Sequence, residues 1–284
     1  MDIKTIGIIG AGRMGSGITQ VMATSGLEVI LMDVKDEFIR RGMDNIKKGL
    51  AKALEKGKIT SEEKEKAVTK IRTTTRLDDM AKADFIIEAV SEIAELKIDI
   101  FKKLDEICHK EVILSTNTSS IPISKIASVT NRQDKVIGMH FMNPAHVMEL
   151  VEVIRGINTS DETFVIVKNL TEKCGKIAVE SKDSPGFIVN RVLMPMINEA
   201  VFALMEGVAS AEDIDKAMTL GANLPMGPLA MSDLIGLDTV LSIMESIYKE
   251  TKDLKHKPCP LLKNYVDSGR LGRKTGQGFY EYPK

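Results

Sequence analysis

Two places in this 284-residue sequence pair residue type and spacing in a way that points to chemistry: Gly10-Ala11-Gly12-Arg13-Met14-Gly15, and His140 with Glu152 twelve residues on. The first matches G-x-G-x-x-G, a turn whose glycines let backbone amides gather round a pyrophosphate at the start of a helix. Gly10 permits the tight turn and Gly12 lets the backbone approach the phosphates, with Met14 in the same turn. Gly15 lets the following helix pack close to a sheet. Asp33 ends the next apolar run, 18 residues past Gly15, where a carboxylate accepts from ribose hydroxyls. It repels a 2′-phosphate, so NAD is expected over NADP, a preference that Lys35 softens.

His140 closes the apolar run Val136-Ile137-Gly138-Met139-His140. Glu152 lies inside Leu150-Val151-Glu152-Val153-Ile154. In a strand it shares its face with Leu150 and Ile154, while Val151 and Val153 cover the other. A carboxylate there needs a partner, and His140, returned by the turn at Asn143-Pro144, is the natural one. A carboxylate on one ring nitrogen fixes the tautomer and strengthens the other nitrogen as a base, which is the makeup of a general acid/base. The residues alone leave open a purely structural His–Glu pair. A metal set of His140, His146 and Glu152 matches no ligand spacing, and no metal is expected. Two weaker signals are the polar run Ser115-Thr116-Asn117-Thr118-Ser119-Ser120, which follows a strand, and Asn190, an amide among apolar neighbours.

To position these residues, the first ~115 residues must alternate strand and helix. Residues 3–9, 29–32, 85–89 and 112–116 read as strands apolar on both faces, with helices near 14–25 and 94–107. That pattern means a parallel sheet covered on both sides. Between the second and third of these strands, residues 34–84 form an excursion with helices at about 36–56 and 61–71, the second opened by a capping box from Thr60 to Glu63. Strands at 136–140, 150–154 and 177–179 and a helix near 161–174 follow. From Ser184, an N-cap before Pro185, the pattern turns helical, with Pro195 inside the first helix. The fold class expected is α/β: a Rossmann-type, mostly parallel sheet with a projecting helical pair, then an all-α domain. The boundaries are 1–184 for the cofactor domain and 185–284 for the helical one.

The chain is 43% hydrophobic and 28% charged with a formal net charge of −1, which excludes wholesale disorder and a nucleic-acid protein held by phosphate contacts. No apolar run approaches ~18 residues, so no membrane span is expected. No targeting segment is read, and three scattered cysteines argue for reduced thiols in the cytoplasm. The neutrality is an average. Residues 40–58 carry seven basic and two acidic side chains, a net of +5 that leaves −6 for the rest. Lys48, Lys52 and Lys56, spaced four apart, would line one helix face.

Together these residues resemble the short-chain L-3-hydroxyacyl-CoA dehydrogenases, most closely the bacterial 3-hydroxybutyryl-CoA branch. The resemblance runs through the glycine turn, the 115–120 run, His140-Phe141-Met142-Asn143-Pro144, the strand of Glu152, Asp183-Ser184-Pro185-Gly186-Phe187-Ile188-Val189-Asn190-Arg191, Pro225-Met226-Gly227-Pro228, and Gly272-Arg273-Lys274-Thr275-Gly276-Gln277-Gly278-Phe279-Tyr280. It implies NAD-linked interconversion of a 3-hydroxyacyl-CoA and a 3-oxoacyl-CoA, with acetoacetyl-CoA and 3-hydroxybutyryl-CoA as the expected pair. His140 would be the acid/base, Glu152 its orienting partner, and Ser119 and Asn190 the hydrogen-bonding pair at the reacting oxygen and thioester. Asn143 falls in the same pocket, and Glu92, Lys97 and Lys274 match cofactor-contacting positions. The basic stripe would hold coenzyme A, Lys56 most directly and Lys52 beside it. The family also implies substrate between the domains and a homodimer or higher homo-oligomer made through the helical one. Two rival readings are a non-catalytic NAD-binding protein of this fold and a dehydrogenase of free hydroxy acids.

Overall fold

The computed structural model describes residues 2–283. Within the unit Met1–Ser184, strands β1 (Thr5–Ile9), β2 (Glu28–Met32), β3 (Ile71–Thr74), β4 (Phe85–Glu88), β5 (Ile113–Thr116), β6 (Val136–Phe141), β7 (Leu150–Arg155) and β8 (Ile177–Lys182) form one sheet in the order β3-β2-β1-β4-β5-β6-β7-β8. Phe85, Ile86 and Ile87 are each wholly buried, as strands covered on both faces must be. Helices α1 (Arg13–Thr24), α2 (Asp36–Glu55), α3 (Ser61–Thr69), α4 (Ala94–Ile107), α5 (Ile123–Ala127) and α6 (Asp161–Lys173) connect them. Every neighbouring pair is parallel except β6 with β7. Their connection is only residues 142–149, too short for a crossover, so β7 returns antiparallel beside β6.

The strand order reverses at β1: β2 and β3 lie on one side, β4 and β5 on the other. In such sheets ligands bind at the carboxyl ends of the strands beside that reversal. One expectation is corrected here. Residues 34–84 are not a purely helical excursion, because Ile71–Thr74 returns to the sheet and pairs parallel with β2. Helices α2 and α3 are therefore an enlarged crossover. The strand lacks an apolar run because it is a half-exposed edge, with Arg72 and Thr73 facing solvent.

The second unit, Pro185–Lys284, is built from α7 (Val189–Met205), α8 (Ala211–Gly221), α9 (Pro228–Ile235), α10 (Leu237–Thr251) and α11 (Pro260–Asp267) around Met194, Ile197, Val201, Leu237, Val240 and Met244. Its first helix starts later than Ser184-Pro185 suggests. Gly186 and Phe187 take positive φ values of 79° and 49°, a left-handed turn that no right-handed helix can include. Asn190 consequently sits in the first turn of α7 and not one and a half turns in. After α11 the described tail holds only a short 3-10 turn, Arg273–Thr275, and no α-helix. Buried Asp233 accepts the Phe279 and Tyr280 N–H groups and the Tyr282 hydroxyl, and so pins it. Among the described residues no helix is long and apolar enough to cross a membrane.

Candidate active site

β1 delivers the chain into the glycine turn. Gly10 has φ 103° and donates to the Met32 carbonyl at 2.8 Å. A Cβ on it would stand 2.6 Å from the Ala89 carbonyl oxygen, so only glycine lets the turn lie against the end of β4. A Cβ on Gly15 would meet the Gly10 carbonyl oxygen at 1.7 Å. The crowding partner of Gly15 is thus the turn itself, where the motif alone suggests the sheet. Gly12 is the opposite case: its Cβ would meet nothing within 4 Å. It is the N-cap of α1, where no side chain caps the helix and no acidic residue stands in the first turn. The amides and positive dipole end of α1 therefore face open space, a cradle suited to a pyrophosphate. Met14 packs partly buried against the core. Asp33 accepts from Ala11 N–H at 2.7 Å and Val34 N–H at 2.7 Å, which ties the turn to the end of β2. Its remaining lone pairs are left to accept ribose hydroxyls. These residues fit NAD.

Three strands away, His140 and Glu152 are direct register partners across β6 and β7. Their Nδ1 and Oε2 atoms lie 2.7 Å apart, with Glu152 wholly buried and His140 6% exposed. The glutamate that looked anomalous in an apolar strand is therefore satisfied by the opposite strand. Asn117, which the sequence did not single out, accepts the Phe141 N–H at 2.9 Å through Oδ1. It fastens the end of β6 to the polar run after β5.

That run is organised by Glu92. One carboxylate oxygen accepts the Thr118 hydroxyl at 2.5 Å, the Ser119 N–H at 2.8 Å, and the Ser120 N–H and hydroxyl at 3.0 Å each. The other lies 3.4 Å from the Lys97 ammonium. Burial works to raise the Glu92 carboxyl, but the Lys97 charge and these donors outweigh it and hold the group below its ordinary range. Lys97 is only 1% exposed. Ser119 itself is half-buried, and its own hydroxyl takes no part in the bonds to Glu92. Glu92, Ser119 and the glycine turn follow β4, β5 and β1, and His140 is the last residue but one of β6, so this parallel set brings them to a common carboxyl edge.

The other expected residues lie on other elements. Asn143 is exposed in the β6–β7 connection. Lys48 and Lys52 are exposed on α2, whereas Lys56 is the residue that caps it, so the basic stripe leaves the helix at its last member. The field there is positive: His146 is held below its ordinary value by burial and by the charges of Lys176, Lys52 and Lys58. Asn190 and Lys274 belong to the second unit. Asn190 is 8% exposed, and Lys274 pairs with Asp238 there.

The chain matches the family models described as 3-hydroxyacyl-CoA dehydrogenase, NAD binding domain, over residues 5–184, and 3-hydroxyacyl-CoA dehydrogenase, C-terminal domain, over residues 186–282. It is 53% identical over 282 residues to the probable 3-hydroxybutyryl-CoA dehydrogenase of Bacillus subtilis, covering 99% of this chain and 98% of the relative. Identity to the 3-hydroxybutyryl-CoA dehydrogenase of Bradyrhizobium diazoefficiens is 49% over 280 residues, covering 99% and 96%. The crystal structure of (S)-3-hydroxybutyryl-CoA dehydrogenase from Ralstonia eutropha aligns over the whole of both chains with a TM-score of 0.96 and 48% identity.

Proposed function

This chain belongs to the 3-hydroxyacyl-CoA dehydrogenase family of NAD-dependent oxidoreductases, and we propose that it interconverts acetoacetyl-CoA and (S)-3-hydroxybutyryl-CoA with the His140–Glu152 pair as its acid/base. The observation that carries this reading is the buried His140–Glu152 bond on the sheet edge where the glycine turn opens. The full-length relatives that bear the name of that reaction support the choice of substrate.

When bound, the nicotinamide supplies or takes the hydride. The protein manages the proton and the charge. With Nδ1 engaged by Glu152, proton exchange with the substrate falls to Nε2. In reduction the protonated imidazole gives its proton to the oxygen at C3. In oxidation the neutral ring takes the hydroxyl proton, and Glu152 stabilises the imidazolium that forms. Ser119 and Asn190 supply the hydrogen bonds around the reacting oxygen and the thioester. Asn143, Glu92, Lys97 and Lys274 line or support the cofactor positions that the family pattern assigns them. Lys52 and Lys56 meet the phosphates of coenzyme A. In this reading the second unit pairs subunits in a homodimer, as the family pattern implies. Three buried, reduced cysteines suit a cytoplasmic enzyme.

The test is NADH oxidation with acetoacetyl-CoA against a His140→Ala control, repeated with NADPH, with free acetoacetate and with a ten-carbon thioester. NADH loss with the four-carbon thioester, absent from the control, is the result expected. No loss above the control would leave a non-catalytic NAD-binding protein. Equal rates with free acetoacetate would point to a dehydrogenase of free hydroxy acids.

A further inference from the structure

Glu88 ends β4 on the same carboxyl edge, and neither the sequence reading nor the acid/base chemistry uses it. It is wholly buried, as is all but 1% of its partner Lys97. A buried carboxylate persists only when its oxygens are satisfied. Here Oε1 accepts from Lys97 Nζ and from the Val90 N–H, both at 2.7 Å. Oε2 accepts from Lys97 Nζ at 3.0 Å and from the Thr116 hydroxyl at 2.7 Å. Lys97 passes the constraint on, its ammonium lying 3.4 Å from Glu92. Glu92 then gathers the donors of residues 118–120 described above. The Thr118 hydroxyl closes the arrangement by accepting the Ile121 N–H at 2.9 Å. The turn that presents Ser119 is thus fastened by a carboxylate, that carboxylate is held by a buried ammonium, and the ammonium's innermost counter-charge is Glu88.

We propose that Glu88 is a positioning residue for this reaction: through Lys97 it holds Glu92, and through Glu92 it aims Ser119 at the acyl substrate. The proposal rests on the reading of Ser119 as a substrate contact. A merely structural Glu88 would affect how much enzyme stays folded. A relay to Ser119 alters the rate of the folded enzyme and does so only while the Ser119 hydroxyl is present.

The experiment is a double-mutant cycle on the full-length enzyme with acetoacetyl-CoA and saturating NADH. Glu88→Gln, nearly isosteric, is expected to lower kcat at saturating NADH about tenfold to a hundredfold, the scale of small misplacements at a reacting centre. Combined with Ser119→Ala, it is expected to add less than about a twofold loss to that of Ser119→Ala alone. Losses that multiply in the double variant overturn the proposal, as does parental turnover by Glu88→Gln beside a crippled Ser119→Ala. Full turnover by Ser119→Ala overturns the reading of Ser119 itself, and this inference with it. If Glu88→Gln does not fold, Thr116→Val loosens Glu88 while keeping every charge. Its expected kcat loss, about twofold to tenfold for one buried hydrogen bond, vanishes in the Ser119→Ala background. A lowered melting temperature with unchanged kcat overturns the proposal.

Discussion

Replacing Glu152 by glutamine keeps the volume of a wholly buried side chain and removes its charge. The bond at stake is the 2.7 Å contact to His140 Nδ1. Hydrogen bonds to a charged group contribute about 1.5–3 kcal/mol net. Water cannot reach Glu152 to replace the lost carboxylate, so the upper part of that range applies. At about 1.4 kcal/mol per factor of ten, that upper part, about 2–3 kcal/mol, is a loss of roughly thirtyfold to 150-fold in turnover. A glutamine amide that donates to Nδ1 would also impose the wrong tautomer, which pushes the effect further the same way. The glycine turn follows β1, three strands from β6, so NADH affinity should change by less than about twofold. The assay is steady-state reduction of acetoacetyl-CoA at saturating NADH, with NADH binding followed by fluorescence and folding by thermal melting. Turnover within about threefold of the parent in a folded variant would refute the reasoning and reduce the pair to a strut between β6 and β7.

The double substitution Lys52→Ala with Lys56→Ala should raise the KM for acyl-CoA by about twofold to thirtyfold, as expected of two exposed ion pairs, and leave kcat alone. It should also flatten the salt dependence of KM, and a change in melting temperature alone would mean that the stripe is only a solvated face. Glu92 supplies a pH prediction. Its carboxyl is held below its ordinary value of 4.5, so the stability it contributes is complete above that value and lost as pH falls through the depressed one. In melting curves across acid pH, Glu92→Gln should therefore shed less stability below about pH 4.5 than the parent. Parallel curves would contradict that linkage.

The chemistry-bearing residues were legible because each breaks a local rule: three glycines where a helix begins, a carboxylate inside an apolar strand, a histidine at a strand end. Asp33 was legible because its spacing follows from one βαβ unit. Elements short of apolar residues were not. Ile71–Thr74 hid because an edge strand has only one neighbour to bury against. The start of α7 hid because positive φ at Phe187 is a conformation that the residue type disfavours, held by its surroundings. Glu88 carried the same signal as Glu152, an acid closing the apolar run of β4. Its counter-charge is not on a facing strand but is a lysine nine positions on, in the next helix.

Local pattern, then, settles what is short-range here: the period of each segment, the glycine turn, and the presence of charges that must find partners. Those follow from backbone sterics and desolvation, which act within a few residues. Which partner each charge finds depends on strand order and register. His140 faces Glu152 because β7 runs antiparallel to β6 in that register. A one-residue slip would turn the glutamate to the opposite face of the sheet. The Glu88–Lys97–Glu92 chain arises only once β4, α4 and the loop after β5 are packed together. A buried ion pair is a property of tertiary packing, because only packing removes the water that would otherwise have answered each charge separately.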